Sequence, residues 1–293
     1  MKKFITFASF LLLTACASIN TYNTYTQNSE ENINSEASNL RIVSLSPSTT
    51  ETLIFLGLHD NIIAVDQHSS SFIDNGIPEF NLFAGLDIEQ LMVLNPDIIF
   101  TAFWTLEEHP FEDILVIIPP VNYLAEIETQ LMKIASKTNT EELAIKLAEE
   151  MNERVENLLF ILEQFDLPER SVYFEIGAEP AIFTVGQGTF INEIIELVGA
   201  RNIFYDTQGW IPAIEEEVVY RNPEVILTNV AYLEDPISEI FNRTGWEVIE
   251  AIQIGQVHYI NSHWSSSSNI LTVNAIEEIA LAIFPEIFLK FFG

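Results

Sequence analysis

The sequence predicts an α/β protein of two similar lobes joined by one long helix, with a ligand cleft between the lobes. Three observations predict it. Short apolar strands alternate with helical patterns on both sides of residue 139, which is the grammar of sheets covered by helices. One long, unbroken helical pattern separates the two alternating stretches. A short motif recurs once in each half.

In chain order, residues 41–47 (RIVSLSP) read as a strand running into a turn. A helix follows through Leu58, with Ser48, Thr49, Thr50 and Glu51 suited to its N-cap region. Strands are expected at 61–65, 97–100 and 114–118, with a helical turn or more at 89–94. Residues 139–142 (NTEE) resemble a capping-box start. Leu143, Leu147, Met151, Val155, Leu158, Leu159 and Leu162 then recur at helical spacing until about Phe165, short of Pro168. At about 1.5 Å per residue such a helix would be roughly 38 Å long, enough to link two lobes. From Ser171 the alternation resumes. Strands are expected at 172–176, 225–228 and 257–260, and a helix at 190–198 stops at Gly199. A closing helix over 270–284 is expected to stop at Pro285.

The recurring motif is IEQLMVLNPDII at 88–99 and EEEVVYRNPEVI at 215–226. In each copy a glutamate, Glu89 or Glu216, lies six residues before an Asn-Pro-acid turn that leads into a strand. Two lobes that share a motif and are linked by a helix leave a cleft, and ligands favour such sites.

The chain opens with a basic Met1-Lys2-Lys3 and an apolar run from Phe4 to Leu13. That run is too short to span a bilayer, which takes about 20 residues, and it fits a secretory signal. Cys16, the single cysteine, follows Leu13-Thr14-Ala15. This resembles a bacterial lipobox, in which the cysteine is acylated after cleavage. Residues 17–40 are polar and aperiodic, as expected of a tether. The expected organisation is therefore a signal at 1–15, anchor and tether at 16–40, a lobe at 41–138, the connecting helix at 139–166 and a second lobe at 167–293. The formal net charge of -31, from 12 Lys+Arg against 43 Asp+Glu, excludes nucleic acid as a partner, because clustered cations are needed to displace counterions.

Together, residues 41–53, 86–99, 183–203, and Trp246 with 251–260, resemble the ABC-transporter solute-binding proteins for iron complexes and cobalamin. The resemblance implies two Rossmann-like α/β lobes and capture of a metal chelate outside the cell membrane by a lipid-anchored monomer. Delivery would be to a membrane permease with its cytoplasmic ATPase. It implies no catalysis, no cofactor and no resident metal. It also implies that Glu89 and Glu216 dock onto arginines of the permease, which is charge complementarity at two equivalent points.

The positions matching the family's cleft are His68, Phe83, Phe103, Trp104, Phe183, Trp210, His263 and Trp264. Aromatic walls with a few polar groups suit a large flat macrocycle. Trp246 and Phe174 read as core. No Arg or Lys neighbours the cleft positions in sequence, whereas siderophore anions and haem propionates favour such partners. A corrinoid is therefore favoured, with a ferric siderophore or haem as alternatives. His68 and His263 come from opposite lobes and could meet across the cleft as axial ligands, or hydrogen-bond the ligand edge. With His109 and a carboxylate they would also satisfy a transition-metal site. A hydrolase would find only a faint nucleophile candidate in Ser265–Ser268 near His263, a run that reads as a flexible polar loop. A receptor that uses the cleft as a sensor is a third class.

Overall fold

The computed structural model describes residues 39–73, 76–82, 85–103 and 110–287. The expectations at Cys16, Phe83, Trp104 and His109, the signal and nearly all of the tether lie outside these residues.

The N-terminal lobe is built on a five-stranded sheet of order β3-β2-β1-β4-β5. The strands are β1 (Ile42–Leu45), β2 (Ile62–Asp66), β3 (Glu79–Phe80), β4 (Ile98–Thr101) and β5 (Leu115–Ile117), and every pairing is parallel. β1 is buried at all its residues, as expected where helices cover both faces of a parallel sheet. Helix α1 (Pro47–Phe55) starts directly after β1, and α2 (Ile88–Val93) precedes β4. The sequence reading did not anticipate α3 (Ala125–Thr138), which buries Ile127, Leu131, Ile134 and Ala135 along one face.

Helix α4 (Glu141–Glu163) is the long connector, 23 residues. Its first turns put Ala144, Leu147 and Ala148 into the core of the first lobe. Its last turns put Leu158 and Leu162 into that of the second. The capping box expected at its start is not formed. Asn139 is left-handed at φ 57° and ends α3, while Thr140 makes no side-chain cap. The Thr140 hydroxyl is engaged instead by that of Thr138 at 2.9 Å.

The second sheet has six strands, in the order β11-β10-β6-β7-β9 with β8 beside β6. These are β6 (Ser171–Gly177), β7 (Phe183–Val185), β8 (Arg201–Asn202), β9 (Trp210–Pro212), β10 (Val225–Thr228) and β11 (Val257–Tyr259). β10 and β11 run parallel to β6, but β7 is antiparallel to both β6 and β9. Strands that alternate with helices pair in parallel; all pairings in the first lobe do so, and in the second only β7 runs against the other strands. Residues 178–182 are too few for a crossover, so the chain must turn back. Helices α5 (Phe190–Leu197), α6 (Glu215–Arg221), α7 (Pro236–Phe241), α8 (Glu250–Ile254), α9 (Ser262–Ser266) and α10 (Thr272–Ile283) complete this half. Pro285 is not a plain stop: helical residues resume at 285–287, and proline is tolerated in a first turn.

The lobes are joined a second time. After α9, Ile270 and Leu271 insert into the core cluster that holds Leu53 and Ile54 of α1, and Trp264 packs against the same cluster. Arg154 of α4 bonds to Glu277 and Asn274 of α10 at 2.7–3.0 Å.

The motif repeat holds in three dimensions. Asn95 and Asn222 both adopt φ 46° after their helices. The Asp97 carboxylate accepts from the Arg41 amide at 2.8 Å, and that of Glu224 from the Ser171 amide at 2.8 Å. Each acid thus ties its motif to the first residue before or in the central strand. The registers agree as well, with Ile42 opposite Ile98 and Val172 opposite Val225. Leu91 and Val218, the fourth residue of each motif helix, are both fully buried.

One buried ion cluster braces the second lobe. The Arg243 guanidinium donates to both Glu175 oxygens at 2.6 and 2.7 Å and to Glu239, and lies 4.5 Å from the Trp246 ring centre. Tyr173 donates to Glu175 at 3.2 Å. Burial pushes the Glu175 carboxyl up from its ordinary value, and the Arg243 bonds pull it back. Trp246 and Phe174 are fully buried, as the sequence reading expects.

Candidate functional site

In open α/β sheets, ligands bind outside the carboxyl ends of the strands. Several of the expected cleft residues lie at those ends. His68 follows β2, where the Asp66 carboxylate accepts from the His68 amide at 3.0 Å and from the Ser69 hydroxyl, fixing the turn. The imidazole is exposed and bonds to Gln67 at 3.1 Å. Phe103 follows β4 and is 59% exposed, with its carbonyl held by the Thr101 hydroxyl at 2.8 Å. Phe183 opens β7 opposite Gly177, level with the carboxyl end of β6, and is 39% exposed. Trp210 opens β9 rather than lying in a loop, and the register through β7 sets it level with the middle of β6, short of the carboxyl end. It pairs with Val185, is 52% exposed and sits edge-on to Phe190 at 6.4 Å.

His263 and Trp264 are carried by α9, after β11. The Asn261 side chain caps this helix by accepting from the amides of both. Trp264 is half-buried against the first lobe's core. The His263 ring meets Phe72 edge-on at 5.4 Å, and its Nε2 lies 2.5 Å from Glu51 Oε1.

Glu51 is the residue that sequence reasoning misassigned. It does not serve the N-terminus of α1. It is fully buried within the helix, and its partners come from the other lobe. Oε2 accepts from the Ser267 hydroxyl at 2.8 Å and from the Asn269 amide group at 2.9 Å. Oε1 has the charge contact with His263 and no well-directed hydrogen bond. The contact with Glu51, opposed by partial burial, holds the His263 imidazole above its usual pKa. A lone acid two residues before the apolar run Leu53–Leu56 was the available signal, since a buried carboxylate needs a partner.

Two further expectations change. The Ser265–Ser268 stretch is no free loop: Ser265 is buried and bonded to Asn229 and Asn261, Ser267 to Glu51. The Ser268 carbonyl accepts from Ser48 at 3.0 Å. These contacts hold the run against both lobes. His68 and His263 are each engaged by another side chain, Gln67 and Glu51. Among the described residues, no group of three or more metal-ligating side chains gathers.

The cations point elsewhere. Arg154, Arg170, Arg201, Arg221 and Arg243 each pair with a carboxylate, and Arg41 donates to the carbonyls of Leu94 and Asn95. Lys133 and Lys137 line a recess of about 240 Å³ that runs along the edge strand β5 from Asp113 to Ile117, and the Lys133 ammonium donates to the Ile117 carbonyl at 2.8 Å. Glu89 and Glu216 are both exposed, each as the second residue of its helix.

Residues 42–263 match the family model described as periplasmic binding protein. An ABC transporter substrate-binding lipoprotein of Bacillus subtilis, YvrC, is 24% identical over 257 residues, covering 85% of this chain and 81% of the relative. A vitamin B12-binding protein of Pectobacterium carotovorum is 26% identical over 246 residues, 82% of this chain and 86% of that one. The crystal structure of the periplasmic heme-binding protein HutB of Vibrio cholerae superimposes with a TM-score of 0.71 over 84% of this chain and 99% of that chain, at 22% identity. With two α/β lobes, a helical connector and a family match over most of its length, this chain belongs to the periplasmic binding protein family.

Proposed function

We propose that this chain is the extracytoplasmic solute-binding lipoprotein of an ABC importer, that it captures a metal chelate, and that the chelate is a corrinoid such as cobalamin. The observation that carries the ligand class is a contrast between the expected cleft aromatics and the arginines. Phe103, Phe183 and Trp210 present large exposed aromatic faces, while each arginine is committed to a carboxylate or a carbonyl elsewhere. Exposed aromatics favour a broad, flat, weakly charged ligand. A ligand with free carboxylates would need cations that the arginines do not offer. The relatives whose names specify vitamin B12 or heme support the chelate class.

In this reading the lobes at 41–138 and 167–293 form the cleft walls, and the helix at 139–166 limits their movement. Phe83, Trp104 and Trp264 complete the aromatic wall. His68 and His263 reach the ligand edge. Cys16 carries the lipid, and Glu89 with Glu216 meets the permease. The protein binds and releases without chemistry.

The direct test is absorption spectroscopy and mass spectrometry of the protein as purified, followed by calorimetry with cyanocobalamin. Corrinoid absorption or saturable heat is the expected result. Haem or ferric-siderophore spectra with no corrinoid heat would replace the ligand and keep the transport role. Trp210→Ala is expected to weaken ligand binding about tenfold with an unchanged melting curve. Unfolding would show that Trp210 serves the core through Phe190.

A further inference from the structure

Among the described residues, the two most exposed large apolar side chains are Tyr220, at 88%, and Val93, at 85%. They occupy the same place in the repeated unit. Val93 is four residues after Glu89 on α2, and Tyr220 four residues after Glu216 on α6. Residues four apart share a helix face. The burial of Leu91 and Val218 at matching positions shows that the two helices present the same face outward. Each lobe therefore offers one carboxylate with one bare apolar side chain a turn away. A single exposed Val or Tyr needs no explanation. Two at equivalent positions, each beside the matching glutamate, do.

We propose that Val93 and Tyr220 are paired apolar contacts of a two-point docking surface. Its partner would be a membrane permease with two similar halves, each offering an Arg or Lys beside an apolar recess. This rests on the docking reading of Glu89 and Glu216 given above and adds what the glutamates cannot supply. Charge pairs at a wet rim steer the encounter and fix register, but hold weakly and fade with salt. An aromatic or aliphatic side chain seated in a recess slows dissociation and resists salt. The larger side chain lies in the second lobe, so the two contacts are similar in place and unequal in size. On a partner whose halves are similar but not identical, that inequality favours one docked orientation over the one turned by half a revolution. Charge favours such a partner over an anionic surface, given 43 acids against 12 bases.

The test uses the full-length protein and the cognate permease–ATPase complex in nanodiscs, with dissociation followed by surface plasmon resonance at low and high salt. Tyr220→Ser is expected to raise the dissociation rate about tenfold, and Val93→Ser about threefold. Both losses should persist at high salt, with ligand binding and the circular dichroism spectrum unchanged. Glu89→Ala with Glu216→Ala should mainly slow association, and only at low salt. If the glutamate pair weakens docking and the Val93/Tyr220 pair leaves it unchanged, the apolar contacts are refuted and the glutamate docking stands. If neither pair alters docking, both are refuted.

Discussion

Replacing Arg243 with alanine is expected to lower the unfolding free energy by about 3–5 kcal/mol, the usual result of removing one partner from a buried ion pair. The side chains of Arg243 and Glu175 are 3% and 1% exposed. Without the guanidinium, Tyr173 is what remains to Glu175 as a hydrogen-bond donor among the described residues, and Trp246 loses the cation over its ring. Urea unfolding at neutral pH measures the change. A loss under about 1 kcal/mol, the worth of a surface pair, would mean that water reaches the cluster. A compensated variant separates charge from packing. Arg243→Met with Glu175→Leu removes both buried charges and should recover much of the loss, although Tyr173 is then left without its acceptor.

The second large effect concerns the contact between the lobes. Glu51→Ala is expected to cost about 2–3 kcal/mol, because Ser267 and Asn269 lose their acceptor inside the protein and His263 loses its charge partner. Glu51→Gln should cost less, since an amide oxygen can still accept from Ser267 and Asn269. What Gln cannot do is attract a charged imidazole. His263 is held above its usual pKa by Glu51, so the charged form binds more tightly to the folded state. Its contribution is fully present below the ordinary histidine value of about 6.5 and is lost as pH rises through the raised folded value. Melting temperatures measured from about pH 6 to about pH 8 should therefore fall in the wild type more than in Glu51→Gln. Parallel profiles would show that the His263 charge contributes nothing. His263 is 36% exposed, so added salt should flatten the wild-type profile.

What the sequence revealed follows the range of the interactions involved. The central strands and the connecting helix were legible because apolar periodicity is local and a buried parallel strand has few alternatives. The equivalence of Glu89 and Glu216 was legible because the turn at each Asn-Pro is fixed by short-range geometry, now seen as φ 46° at both asparagines. The role of Glu51 was not, because its partners lie 216 and 218 residues away along the chain. A hydroxyl-rich run before an acid suggests a cap, and only tertiary contacts override that. The serine run failed for a related reason. Serine favours turns over helices in isolation, yet here Asn261 caps the run and Asn229 and Glu51 bond to its hydroxyls. The direction of β7 depended on the length of a turn, which periodicity does not report. Of the residues expected at the cleft, Phe103, Phe183 and Trp210 are exposed aromatics outside the core, whereas Trp264 spends half of its surface on the first lobe.

The return of residues 264–271 to the first lobe has a consequence for how the molecule is made. Ile270 and Leu271 fill the core around Leu53 and Ile54, so the half of the protein synthesised first cannot finish packing until nearly the whole chain has emerged. A fragment ending after α4 would leave that apolar gap open and Glu51 without its three partners. Domains generally complete themselves in the order of synthesis. Here the earliest segment waits for almost the last, and the two halves are expected to melt as a single cooperative unit. Calorimetry should show one transition rather than two.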